Sequence, residues 1–405
     1  MFILAAAGLL LLVALIQSLG SDFSASQLTS SALLAAGIAL VGLLMLIPTG
    51  LSGLRLMGKP LRQWPRPPLV VQIGLPLVFL PALWALGAAV ASSAAVAQVA
   101  WLLLPPLHVL TVGLPVWLLL RLSRNGLPGG TLQQEWGVFS SGLVIAPVLI
   151  LVLELLVLAG IAALAGIYLA TQPGLALQLD RLIGQIRYGT PTEDEVLELL
   201  WPYLVKPGVA FAGLVYIAVL VPLIEEVLKP IGVWLLAGRE LTPTQGFTAG
   251  ALSGAGYALV ENLGASANLE SWAALVLARA GTAVLHIYTA ALMGWALAAA
   301  WQERRYVRLA VAYLLAVSLH GLWNGLSVFG GVLTLPAAER YLPPEVVERG
   351  LPALAAVVVI GLTAVVLLLG SNLRLQRAQR QATPPLAPPL AVSEPPAAET
   401  HVEQP

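Results

Sequence analysis

Residues 208–236 read GVAFAGLVYIAVLVPLIEEVLKPIGVWLL. Every position in this run is apolar, aromatic, Gly or Pro except Glu225, Glu226 and Lys229. The run exceeds the roughly 20 residues that a spanning helix needs, so it reads as a transmembrane helix. A charge at the bilayer centre costs roughly 2.5–3.5 kcal/mol on insertion scales. Two adjacent carboxylates there need a chemical reason.

The rest of the chain agrees with a membrane reading. Apolar residues make up 59% of the 405 and charged residues 10%, with a mean hydropathy of +0.89. An ordinary globular domain carries about 25% charge. Further apolar runs cover approximately 2–20, 31–50, 69–91, 99–120, 138–169, 245–265, 273–301, 309–332 and 351–370. The expected architecture is all-α, a polytopic transmembrane helical bundle of about ten spans. Met1–Gly20 has the length of a signal-peptide core but lacks a positive n-region, so it is expected to remain as the first span; cleavage would leave nine. Net charge is zero, which gives no global field to attract nucleic acid. The absence of cysteine removes thiol nucleophiles and thiolate metal ligands.

Loop charge sets the orientation. One set of alternate loops, including Arg55, Lys59, Arg62, Arg66, Arg121, Arg124 and Arg374, holds thirteen Lys and Arg, and the opposite set holds five. The positive-inside rule places the richer set, and with it the C-terminus, in the cytoplasm. Five divisions follow: 1–170, a five-span extension; 171–207, an extracytoplasmic loop; 208–332, the span group with the buried charges; 333–381, the last span and a basic end; and 382–405, a Pro-rich tail with the composition of a disordered segment. Within the loop, Thr190-Pro191-Thr192-Glu193-Asp194-Glu195 starts one capped, interfacial helix.

Spans six to nine hold nearly all the buried ionisable groups. Glu225 and Glu226 stand four and three residues before Lys229, so Lys229 can pair with either. Pro222 and Pro230 remove backbone N–H donors and should kink their helix beside Ala218 and Glu226. Gly246, Gly250 and Gly254 recur every fourth residue, a pattern for close helix packing. One turn separates Tyr257 from Glu261, which Asn262 follows; Arg279 and His286 share a helix face two turns apart. His320 and Asn324 are neighbours at i and i+4. Glu261 computes to roughly 9 Å nearer the outer face than the others. His108 reads as structural, and Glu154 stays open. No His-Glu-x-x-His is present, yet two His with two or three carboxylates can hold Zn²⁺. The residues leave the metal open.

Glu225-Glu226-x-x-Lys229, Tyr257-x-x-x-Glu261-Asn262, His286 and His320-x-x-x-Asn324 together resemble the PrsW family of intramembrane proteases, over about residues 215–330. That family is similar to the CAAX prenyl protease and bacteriocin-processing group. The resemblance implies an intramembrane endopeptidase of the bacterial cytoplasmic membrane acting on membrane-anchored proteins such as anti-sigma factors, of glutamic or metalloprotease type.

On this reading Glu225 activates a water and Glu226 and Lys229 tune its charge. His286 with Glu261 positions the water or passes the proton to the leaving amine; His320 and Asn324 donate to the oxyanion. Asn262 and Arg279 support them. If a metal is present, Glu225, Glu261, His286 and His320 would ligate it. A proton-coupled transporter also shows midplane Glu, His and Lys on broken helices. Against it, the N-terminal half is expected to hold no matching broken helix. A non-catalytic scaffold would not need the full residue set.

Overall fold

The structure, a computed structural model, describes residues 2–17, 24–59, 68–189, 191, 193–265 and 271–382. Among these residues every regular element is helical. The bundle opens with α1 (Phe2–Gln17), α2 (Ala25–Leu56), α3 (Leu69–Ser92) and α4 (Ala100–Arg124). At the start of α2, Ser24 accepts from the Gln27 N–H while the Gln27 side chain accepts from the Ser24 N–H, a reciprocal cap. The next span is α5 (Leu132–Ser140), a π-type turn at Ser141–Ile145 and α6 (Ala146–Ala170).

Two helices follow outside the core, α7 (Pro173–Tyr188) and α8 (Glu193–Leu204). The sequence suggested only one, because the apolar positions of α7 are spread thinly among Gln, Asp and Arg. The expected capping residues Thr190 and Thr192 lie outside the described residues, as do Arg62, Arg66, 18–20 of the first run and 383–405 of the tail. The charged span is α9 (Pro207–Val215), a second π-type turn at Tyr216–Leu220, α10 (Val221–Leu228) and the short α11 (Ile231–Trp234). Then come α12 (Pro243–Gly264), α13 (Trp272–Glu303), α14 (Tyr306–Leu333), two single turns α15 (Ala338–Tyr341) and α16 (Pro344–Val347), and α17 (Gly350–Ala382). The last helix extends well past 370, its final turns carrying the basic residues into solvent.

Eight described helical segments are long and apolar enough to cross a membrane. Two of the ten expected spans fall outside that set. α1 has 16 residues, and α12 carries too much Gly, Ser and Thr to score as apolar. Yet α12 is the centre of the bundle: every residue from Gly246 to Leu259 is buried. Its glycines lie against the backbone of α13, Gly246 on Gly294, Gly250 on Ala290 and Gly254 on His286. Small residues let backbones approach where a Cβ could not fit. Gly250→Ala would drive a methyl into the Ala290 carbonyl and is expected to cost about 1–3 kcal/mol. Gly113→Ala, which meets nothing within 4 Å, should leave the thermal unfolding temperature in detergent unchanged or higher.

Proline breaks shape the charged span. Pro222 cannot donate to the Ala218 carbonyl, and the π-type turn ends just before it. Gly321 of α14 packs onto that freed carbonyl. At Pro230 the helix stops. Ser253 of α12 bridges the break, donating to the Lys229 carbonyl at 2.6 Å and accepting from the Gly232 N–H at 3.3 Å. The turn at Ser141–Ile145 corrects the expectation that the N-terminal half holds no broken helix. Its Gly142 abuts the Ser253 carbonyl, so the break serves to seat α5 and α6 against α12; it carries no charged side chain.

Candidate active site

Four helices bring their polar residues to one buried cluster. Lys229 sits at its centre, fully enclosed. Its Nζ lies 2.5 Å from Glu226 Oε1, 3.3 Å from Glu225 Oε2, 2.7 Å from His286 Nδ1 and 3.2 Å from His320 Nδ1. The helix therefore presents both carboxylates to one cation, with the i, i+3 partner held more tightly. Glu226 is also 2.9 Å from His320 Nδ1. Glu225 has a weaker second partner: the Tyr257 hydroxyl hydrogen-bonds to it, His320 Nε2 stands 3.9 Å away, and its Oε2 makes no hydrogen bond among the described residues. Of the adjacent acids, Glu226 is held by charged and imidazole partners, and Glu225 keeps one oxygen without a hydrogen bond.

Glu261 touches His286 Nε2 with one oxygen, and its other oxygen is 2.8 Å from Arg279. The roughly 9 Å depth gap expected between Glu261 and the rest closes through side-chain direction. Side chains lean toward the N-terminus of their own helix. α12 and α13 pack antiparallel, so Glu261 and His286 lean toward each other until they meet. Tyr257 places its ring edge-on to His286, centroids 5.2 Å apart, and lies 5.5 Å from Lys229 Nζ. His286 and His320 also meet edge-to-face at 5.2 Å.

The contacts fix the imidazole protons. An ammonium against Nδ1 of His286 donates there, so the ring proton belongs on Nε2, facing Glu261. Nδ1 of His320 is nearer the Glu226 carboxylate, at 2.9 Å, than the Lys229 ammonium, at 3.2 Å, and the closer contact assigns the proton to that atom, which turns a bare Nε2 toward Glu225. Each histidine is thus held by a carboxylate on one side and offers its other nitrogen inward. That is how metal-binding histidines are oriented.

One ligand atom each from Glu225, His286 and His320 lie within 4.8 Å of one another, all three residues buried. Two imidazoles and a carboxylate are a donor set that catalytic zinc takes, leaving a position open. The residues fit a divalent metal once Lys229 leaves His286 Nδ1, because its ammonium takes the lone pair that a metal would use. Glu261 stands outside that triplet, on the far side of His286.

The other expected residues serve as ties. Asn262 Nδ2 donates to the Arg279 carbonyl at 3.0 Å, joining α12 to α13. Asn324 Nδ2 donates to the Ile217 carbonyl at 3.3 Å. One of its two amide hydrogens is thus engaged with the π-type turn. His108 lies apart, beside Trp272 at 6.4 Å. Ser253 was missed as a site element; a serine in a small-residue stripe gives no signal until the Pro230 break is placed beside it.

The family profile described as PrsW family intramembrane metalloprotease matches residues 136–368, well over half of the chain and wider than the 215–330 that the motifs cover. No curated protein and no solved structure matches.

Proposed function

The chain belongs to the PrsW family of intramembrane metalloproteases, and from that membership we propose that it hydrolyses peptide bonds of membrane-anchored proteins at the Glu225–His286–His320 cluster. Its class as an intramembrane protease acting on membrane-embedded protein substrates comes with the family; the roles of the residues are the reading offered here. The observation that carries it is one buried carboxylate oxygen, Glu225 Oε2, without a hydrogen bond beside two carboxylate-oriented imidazoles.

Glu225 takes the proton of the attacking water. The neighbouring Lys229–Glu226 pair keeps a cation beside it, so the site holds charge without swelling into the lipid. His286, its Nε2 proton held by Glu261 with Arg279 behind it, turns Nδ1 toward the cluster and positions the water, and the proton that Glu225 has taken passes to the leaving amine. His320, held by Glu226, points Nε2 at the reacting carbonyl's side of the cluster. Arg279 and Glu261 are partly exposed, which gives water a path inward. A divalent metal, zinc by the donor chemistry, would be held by Glu225, His286 and His320 and would supply Lewis acidity to the carbonyl and to the water. Anti-sigma-factor-like proteins are the proposed substrates. The proposed setting is the bacterial cytoplasmic membrane, with the C-terminus in the cytoplasm.

Chelation tests the metal part. With purified chain in detergent and a single-span substrate, 1,10-phenanthroline is expected to stop cleavage and added Zn²⁺ to restore it. Cleavage that persists unchanged under chelation would remove the metal and leave Glu225 to act with Lys229 alone.

A further inference from the structure

We propose that the substrate's membrane-spanning segment docks against the unpacked half-spans of α6 and α9, with Glu154 receiving its unwound backbone; this rests on the proteolytic reading above. α6 is joined to the site through Ala146 and Ile150, which pack with Tyr257, Ile224 and Leu228. Glu154 follows Ile150 by one turn on the same face. Its carboxylate lies within electrostatic range of Glu225, Glu261 and Lys229, and of Tyr216 and Tyr257. Its Oε1 is enclosed and accepts no hydrogen bond among the described residues. Leaving a buried acceptor unsatisfied costs about 1–3 kcal/mol. No structural contact of α6 accounts for that group.

Past Val157, packing on α6 stops for about three turns. Every residue from Leu158 to Tyr168 is exposed, whichever way it points, and so is every residue from Pro207 to Leu214 on α9. A helix that merely faces lipid keeps one packed side; these half-spans keep none. Eleven residues of α6 span about 16 Å, roughly half of a hydrocarbon core. Glu261, within electrostatic range of Glu154, has a side chain 31% exposed while His286 beside it is 0%.

A single apolar helix fits this place. It would give both half-spans a packing partner in the outer leaflet. Its peptide bonds become accessible only where a turn is broken, and a broken turn in lipid frees N–H groups that need acceptors. Glu154 Oε1 is such an acceptor at the mouth of the site. A lipid acyl chain has no donor to offer it.

The absence of native cysteine makes a site-specific test direct. Single cysteines at Leu164, Phe211 and, as a control on α17, Val358, all exposed, are labelled with a benzophenone maleimide in nanodiscs. The probe is a synthetic Leu/Ala spanning peptide with a central Gly-Gly. Photocrosslinking is expected at Leu164 and Phe211 several-fold above Val358. Glu154→Leu should lower that yield several-fold, and Glu154→Gln, which keeps a carbonyl acceptor, should preserve it. Equal yields at the three positions, chain-to-chain adducts in place of probe adducts, or no effect of Glu154→Leu would overturn the proposal. Crosslinking reads docking and not cleavage. A positive map from a chain that never cuts the probe would therefore overturn the proteolytic reading alone.

Discussion

Replacing Lys229 by Met is expected to lower the unfolding free energy by about 3–5 kcal/mol, the cost of leaving buried charge without its partner. Lys229 is fully enclosed and is the one cation within reach of Glu225, Glu226 and both imidazoles. Methionine fills nearly the same volume, so the loss reports charge and not a cavity. The double variant Lys229→Met, Glu226→Gln should recover part of it, because the carboxylate most tightly bound to Lys229 is then neutral. Thermal unfolding in detergent, run on the wild type, both single variants and the double, gives the coupling directly. An unchanged unfolding temperature for Lys229→Met would mean that the ammonium does not hold the cluster together.

Glu225→Gln should separate chemistry from stability. Glutamine keeps the shape but cannot take a proton from water, and removing a general base costs typically 10²–10⁴-fold in rate. The fall is expected in kcat with KM nearly unchanged, since Glu225 faces the reacting atoms and not the bulk of the substrate. Stability should change little. Glu225 is 3.3 Å from Lys229 against 2.5 Å for Glu226, so Glu226 carries most of the pairing. Glu226→Gln is accordingly the variant whose main effect is on folding, through loss of its contacts to Lys229 and His320.

Much of this arrangement was legible because charge inside an apolar run has so few explanations. Glu225, Glu226, Lys229, His286 and His320 stand out for that reason, and helical spacing already put Lys229 within reach of both acids. The Gly246, Gly250 and Gly254 stripe foretold the closest helix pair for an equally simple reason, the absence of Cβ. Other features depend on three-dimensional placement. Spacing alone could not say which acid Lys229 would hold. Axial depth misplaced Glu261, since it ignores the opposed lean of side chains on antiparallel helices. Asn324 looked like a partner of His320 at i+4, and spacing could not show that the π-type turn would supply a carbonyl for one of its amide hydrogens. Glu154 gave no signal in its own span. Its meaning comes from α6 packing beside α10 and α12 and then running free.

The central claim is that water attacks a peptide bond within the membrane at this cluster. Cleavage of a single-span substrate by the purified chain in H₂¹⁸O, followed by mass spectrometry, tests it most directly. One ¹⁸O should appear in a new C-terminal carboxylate lying inside the substrate's apolar segment, and Glu225→Gln should abolish it. Absence of any new terminus there, or equal labelling by wild type and Glu225→Gln, would contradict the account.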